Sequence, residues 1–407
     1  MPQLNKLRTA LPGDLGGNTA TLSSARLRTA LTVFFALDGF LFAGWVVRIP
    51  AIKHQTGASA ATLGLALLGV SAGAVITMTL TGRLCRRFGS HAVTVACGVL
   101  LSLSIALPAQ THSALSLGLV LLVFGAAYGG MNVAMNSAAV DLVAALRRPV
   151  MPSFHAAFSL GGMLGAGLGG LVAAGLSPAV HLSLLTGIGL LVTALAGPVL
   201  LRHPAPVVPE RADAPSAARS GQRLSGRARK VVLLFGLIAL CTAYGEGALA
   251  DWGALHLEQD LHARPGIAAA GYSLFALAMT AGRLSGTALL ERLGQTRTLV
   301  AGGATAAAGM LLGALAPTAW LALLGFAVTG IGLANIFPVA VGRAGELAGP
   351  GGVAAASTLG YGGMLLGPPA IGFLADWFSL PVALTTVAVL AGAAAALGYG
   401  ARRAAHT

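Results

Sequence analysis

The sequence predicts an all-α membrane protein of twelve transmembrane helices in two six-helix bundles, and three observations carry that prediction. The 407 residues are 56% hydrophobic and only 9% charged, with a mean hydropathy of +0.82, whereas soluble domains carry about 25% charged residues. Twelve segments approach the ~20 apolar residues that cross a bilayer. The second set of six also repeats landmark residues of the first, which relates the halves by a pseudo-two-fold axis along the membrane normal.

The apolar segments cover roughly residues 29 to 49, 62 to 82, 92 to 108, 115 to 140, 153 to 175, 181 to 201, 231 to 255, 266 to 289, 298 to 316, 320 to 341, 353 to 375 and 381 to 400. Between the sixth and seventh lies a stretch rich in Pro, Ala, Ser and Arg with no apolar period, the composition of a flexible linker. The expected organisation is therefore a tail over 1–28, a bundle over 29–201, a linker over 202–230, a bundle over 231–400 and a tail over 401–407.

Residues 1–28 lack the apolar core of a cleavable signal peptide, so the first span is expected to direct insertion. When loops are assigned alternately to two sides, only Arg48, Lys53 and Arg264 of the 25 Lys and Arg fall opposite the termini. The positive-inside rule then places both termini and the central loop in the cytoplasm. The net charge of +13 is read as topology and not as a nucleic-acid footprint. Cys85, Cys97 and Cys241 have no metal-ligand spacing and are read as free thiols in or beside spans.

The internal repeat keeps register along its length. Asp38-Gly39 matches Glu246-Gly247, Arg87-Phe88-Gly89 matches Arg292-Leu293-Gly294, Asn132 matches Asn335, and Gly161-Gly162-Met163-Leu164 matches Gly362-Gly363-Met364-Leu365. A carboxylic acid at the centre of a span costs about 2.5–3.5 kcal/mol on insertion scales, so Asp38 and Glu246 are expected to have a partner, a wet cavity or a function. A desolvated carboxyl can load and release a proton near neutrality, which makes Asp38 and Glu246 the proton-coupling candidates; the alternative is a structural carboxylate paired with Arg48 or Arg283.

Spans three, six, nine and twelve carry no ionisable residue in their interiors and are expected at the periphery, leaving the first span of each group to line the centre. Asp38 and Trp45 are seven apart, and Tyr128, Asn132 and Asn136 are successive fourths, so each set shares a helix face. Together with Trp252, Arg283, Asn335 and Tyr361 these are the substrate-cavity candidates. The asparagines have the alternative reading of interhelical glue, and Arg283 that of a snorkelling side chain. With few aromatic residues in the chain and several amides in the presumed cavity, a polar solute is favoured over a large aromatic drug. His155 is read as an interfacial histidine able to titrate near neutrality.

Glu246-Gly247 followed by Ala250-Asp251-Trp252, then Gly332-Leu333-Ala334-Asn335, and His155 with Phe158-Ser159-Leu160-Gly161-Gly162 resemble the major facilitator superfamily over essentially the whole chain, specifically its bacterial YbjJ-like inner-membrane branch. The resemblance implies a monomeric secondary transporter in the bacterial inner membrane, moving a small organic solute by alternating access with proton coupling. It also implies that Gly82, Arg83, Arg86, Arg87 and Gly89, with Asp141, form a cytoplasmic gate whose glycines allow close contact and whose arginines pair with acids. Arg86 stands where the family's signature has an acid, while the second copy, Glu291, Arg292, Gly294 and Arg297, keeps one.

The fifth span lacks the Gly-Pro of drug-proton antiporters, although Gly367-Pro368-Pro369 occurs in the eleventh, so a proton-coupled exporter of drugs or amphiphiles is the alternative within the class. A membrane-embedded sensor or enzyme is the alternative outside it. No Walker motif, nucleophile elbow or zinc signature occurs, and no cofactor, metal or nucleic-acid partner is expected.

Overall fold

The structure, a computed structural model, describes residues 14–146, 150–203 and 226–406. Most of the expected linker and the first part of the N-terminal tail lie outside the described residues, as do Arg147 and Arg148. In chain order the first half holds α1 (Asp14–Val46), α2 (Ile49–Thr56), α3 (Ala60–Phe88), α4 (Ser90–Ser104), α5 (Ala114–Leu146), α6 (Met151–Ala173) and α7 (Pro178–Arg202). The second half holds α8 (Gly226–Gln259), α9 (Pro265–Leu284), α10 (Gly286–Ala314), α11 (Ala319–Leu333), α12 (Ile336–Trp377) and α13 (Leu380–His406).

Ten described helical segments have the length and hydropathy of a bilayer span. The span expected over 353–375 lies within α12, and that over 298–316 lies in α10 except for its last two residues. Helix starts follow local chemistry. Ser59 and Ser177 accept from the amides of Thr62 and Val180, and Pro178 and Pro265 occupy first-turn positions where a missing N–H costs nothing. The helix α1 starts at Asp14, inside the segment read as a tail, because residues 18–28 contain neither Gly nor Pro.

Helix pairings repeat between halves. In the first half α3 packs on α5, α1 on α6 and α4 on α7; in the second, α9 packs on α11, α8 on α12 and α10 on α13. The halves meet where α3 touches α12 and α6 touches α9, two contacts that a pseudo-two-fold axis exchanges. Both are drawn shut at the face opposite the termini: a Cβ on Gly372 would strike Ala60, and Gly170 abuts Gly266 and Ala269.

That face also carries a polar tie. Asp376, at the end of α12, accepts from Ser59 Oγ (2.8 Å), Ala60 N (2.9 Å) and Ala61 N (3.0 Å), so a carboxylate of one half caps a helix of the other. Burial acts to raise the carboxyl's pKa, but the Ser59 hydroxyl, the two amides and nearby Lys53 hold it below the usual carboxylate range. A depressed carboxylate pKa adds stability that is complete above the ordinary Asp value of about 3.9 and fades as pH falls through the folded value. The tie is therefore intact at neutral and mildly acid pH. Asp376→Ala is expected to open this face a few-fold more often, the scale of an exposed contact worth ~0.2–1 kcal/mol. The readout is the reaction rate of Ser71→Cys, on the cavity side of α3, with an impermeant maleimide added from the closed face in a background lacking native cysteines. An unchanged rate would assign closure to the glycine contacts alone.

Candidate functional site

A cavity of about 190 Å³ lies between the halves. From the first half it is lined by Phe42 and Trp45 of α1, Tyr128 of α5 and Phe158 of α6. The second half contributes Glu246 and Asp251 of α8, Tyr272, Phe275 and Arg283 of α9, and Tyr361 of α12. Phe42 stacks on Tyr128 with centroids 5.0 Å apart, Phe124 lies on Tyr128 at 6.4 Å, and Trp45 tilts against Phe124 at 6.3 Å. This wall is aromatic and methionine-rich, with Met78, Met279 and Met364 and no amide side chain among its lining residues. The sequence-based expectation of an amide-lined, aromatic-poor cavity is therefore corrected.

Towards the termini the cavity adjoins a wider one of about 910 Å³, which shares Ser159 and Arg283 with it and reaches His155, Asn335 and Glu346. The site is thus closed at one face and opens through this second space at the other. At the junction, Arg283 Nη2 sits 3.3 Å and 3.4 Å from the two carboxylate oxygens of Glu246, with Arg283 41% and Glu246 21% exposed.

The chain positions Arg283 by breaking a helix. The span expected over 320–341 is interrupted at Ala334 and Asn335, between α11 and α12. Arg283 Nε donates to the Ala334 carbonyl (3.4 Å), and Asn335 Nδ2 donates to the Gly282 carbonyl (2.8 Å). The end of α9 and the break in the tenth span therefore hold each other's free backbone groups. Asn335 is largely buried and faces the wider cavity, not the central one.

Several sequence-predicted residues lie elsewhere. Asp38 is 0% exposed, neither carboxylate oxygen has a partner among the described residues, and it is absent from the cavity wall. It shares a face with Phe42 and Trp45, but those two form the wall; Asp38, a turn earlier, lies within electrostatic reach of Cys97 and Tyr128 inside its own half. Asn132 and Asn136 do not line the cavity either: Asn136 Nδ2 donates to the Asn132 carbonyl (2.8 Å), a tie within α5. Trp252 is fully buried with its indole N–H unpartnered among the described residues, and it does not line the cavity although its neighbour Asp251 does. Arg48 pairs with neither acid; its Nε donates to His181 Nδ1 (2.8 Å) and its Nη1 to the Ala173 carbonyl (3.2 Å).

The expected gate differs as well. Asp141 is approached by Ser90 Oγ (3.5 Å) at the start of α4 and forms no ion pair among the described residues. Arg83, Arg86 and Arg87 are exposed, with Arg87 lying 5.2 Å over the Phe88 ring. Glu291, Arg292 and Arg297 are exposed too, and the nearby ion pair is Arg343 with Glu346 (2.7 Å). Gly89 (φ 85°) and Gly294 (φ 73°) are required by left-handed turns, since a Cβ at either would meet open space, and one at Gly82 would meet only the Arg86 side chain. Gly89 and Gly294 serve a turn in the chain, and Gly82, inside α3, makes no close helix contact. Among the described residues these gate residues form no ion pair, and the wider cavity opens on the termini side.

Asp251 and Tyr272 are site residues that sequence reasoning passed over. Asp251 has no counterpart in the first half, so the repeat did not mark it; an acid inside a span was the available signal.

The sequence matches the profile of the Major Facilitator Superfamily over residues 29–255 and 235–406. The chain belongs to the major facilitator superfamily. Within it, an uncharacterised MFS-type transporter of Yersinia pestis is 34% identical over 90% of this chain and 93% of its own. Among solved structures, the nucleoside transporter NupG superposes with a TM-score of 0.72 at 16% identity, covering 94% of this chain and 99% of its own. An inward-facing, unoccupied bacterial homologue of the human lysosomal transporter Spinster gives 0.76 at 14% identity, covering 94% and 97%. At these identities the two structures establish the shared fold. As a member of the superfamily the chain is a multi-pass membrane protein of secondary transport.

Proposed function

We propose that this transporter carries a small organic solute across the bacterial inner membrane by alternating access, as a monomer with both termini in the cytoplasm, and that Glu246 couples transport to protons. The observation that carries the reading is the central cavity between the two halves, shut at the face tied by Asp376 and continuous at the other with a wider space. Such a site reaches the opposite side when the two halves rock about it. The Glu246–Arg283 contact sits where those spaces join, so protonation of Glu246 would release Arg283 and change the passage. Asp38, buried and unpaired, is the second proton candidate.

The aromatic and methionine lining also favours a second reading within the class, export of amphipathic molecules. Purified protein in liposomes is expected to carry solute flux without ATP, lost when both the solute and proton gradients are removed. Conversion of the solute would indicate an enzyme, and binding with no flux under any imposed gradient would indicate a sensor.

A further inference from the structure

We infer that the central cavity takes a small organic cation, one ring bearing an ammonium group, with the charge received by Asp251 and the ring by the aromatic wall; this names the substrate class and rests on the transport reading above.

The charge balance of the wall points that way. Its charged side chains are Glu246, Asp251 and Arg283. Arg283 faces both oxygens of Glu246, so that pair is internally compensated. Asp251 has no hydrogen-bond or ion-pair partner among the described residues. With all three ionised the wall holds one uncompensated negative charge in a largely apolar space, where it is costly unless a cation joins it.

Position separates the two acids. Asp251 is five residues beyond Glu246 on α8, about 7.5 Å along the axis, and α8 runs from the termini side towards the closed face. The Glu246–Arg283 pair therefore stands at the mouth and Asp251 near the floor. By the internal repeat Trp252 corresponds to Trp45, so Trp45 on α1 lies at the depth of Asp251. Tyr272 is within electrostatic reach of both acids. Tyr272 near an unpaired carboxylate, with the partly exposed rings of Phe42, Tyr128 and Tyr361 on the same wall, supplies the two elements that recognise an organic ammonium, cation–π attraction and charge.

The central cavity has room for such a molecule. An apolar protein cavity of about 150 Å³ holds benzene, so 190 Å³ accommodates one ring with a short ammonium-bearing arm. An anion would meet Asp251 without a counter-charge, since Arg283 is already engaged.

Three molecules of one ring and chain length test this: phenethylamine as the cation, 2-phenylethanol as the neutral form and phenylacetate as the anion. Binding to the purified full-length protein is measured by calorimetry, at a pH where the amine is charged. Phenethylamine is expected to bind at least about tenfold more tightly than either of the others. Asp251→Asn should bring phenethylamine down to the affinity of 2-phenylethanol, and Asp251→Glu should restore the preference. The proposal is overturned if phenylacetate or 2-phenylethanol binds as well as the cation, if none binds at millimolar concentration, or if Asp251→Asn keeps the cation preference. Flux of labelled phenethylamine in liposomes separates the two levels. Binding without flux would leave the cation site standing against the transport reading, and flux of some other solute with no cation binding would do the reverse.

Discussion

Glu246→Gln is expected to abolish proton-driven accumulation, by at least about tenfold, while solute counterflow across the same membrane persists. Gln keeps the size of protonated Glu and offers a carbonyl oxygen to Arg283, now 3.3 Å from Glu246, but it has no proton to release. The pair faces a cavity, with Arg283 41% exposed, so neutralising the acid does not strand a cation in a dry interior. The stability cost should thus stay near the ~0–1 kcal/mol of a solvated pair, not the several kcal/mol of a buried one. A stable protein that exchanges but does not accumulate identifies a proton carrier. A variant that no longer folds would instead identify a structural ion pair. Undiminished accumulation would transfer the role to Asp38, and Asp38→Asn should then give the uncoupled behaviour.

Hydropathy and repeat, both local in sequence, were enough to set the twelve spans and their two-fold arrangement. What the sequence did not reveal depends on depth and on partners from distant helices. Asp38, Phe42 and Trp45 share one face by spacing, yet only the last two reach the cavity, because depth along a face is fixed by how α1 seats on α6. The break at Ala334 and Asn335 has a local cause in Pro338, which offers no N–H to the Ala334 carbonyl four residues earlier; the partners that take up the freed groups, Arg283 and Gly282, lie some fifty residues away. Asn132 and Asn136 had a spacing that suits a cavity face equally well as the intrahelical bond they make. Glu246 and Arg283 are each visible as charges within spans and meet in the fold, whereas Arg48 bonds His181 instead of either acid. Asp251 has no acid at the matching position of the first half, so the internal repeat does not single it out.

The largest effect on stability is expected at Gly125. In lipid there is no hydrophobic force between helices, so association relies on close backbone approach and van der Waals contact. A Cβ added to Gly125 of α5 would fall on the backbone carbonyl and Cα of Val70 in α3, and reciprocally one on Gly73 of α3 would meet the Leu122 carbonyl and the Ala126 amide. Those obstacles are backbone atoms and cannot rotate aside, so α3 and α5 would have to separate along their length. Gly125→Ala should cost about 1–3 kcal/mol, the scale of core overpacking, and Gly125→Leu should leave little monodisperse protein in detergent. Because α3 also carries the contact with α12, the Ala variant should additionally loosen the closed face. Gly187 of α7 is the matched control: it is exposed, a Cβ there meets nothing within 4 Å, and Ala is the better helix former. Gly187→Ala is expected to match or exceed the wild-type melting temperature. Equal behaviour of Gly125→Ala and Gly187→Ala in thermal unfolding would show that the α3–α5 approach is not what holds the first half together.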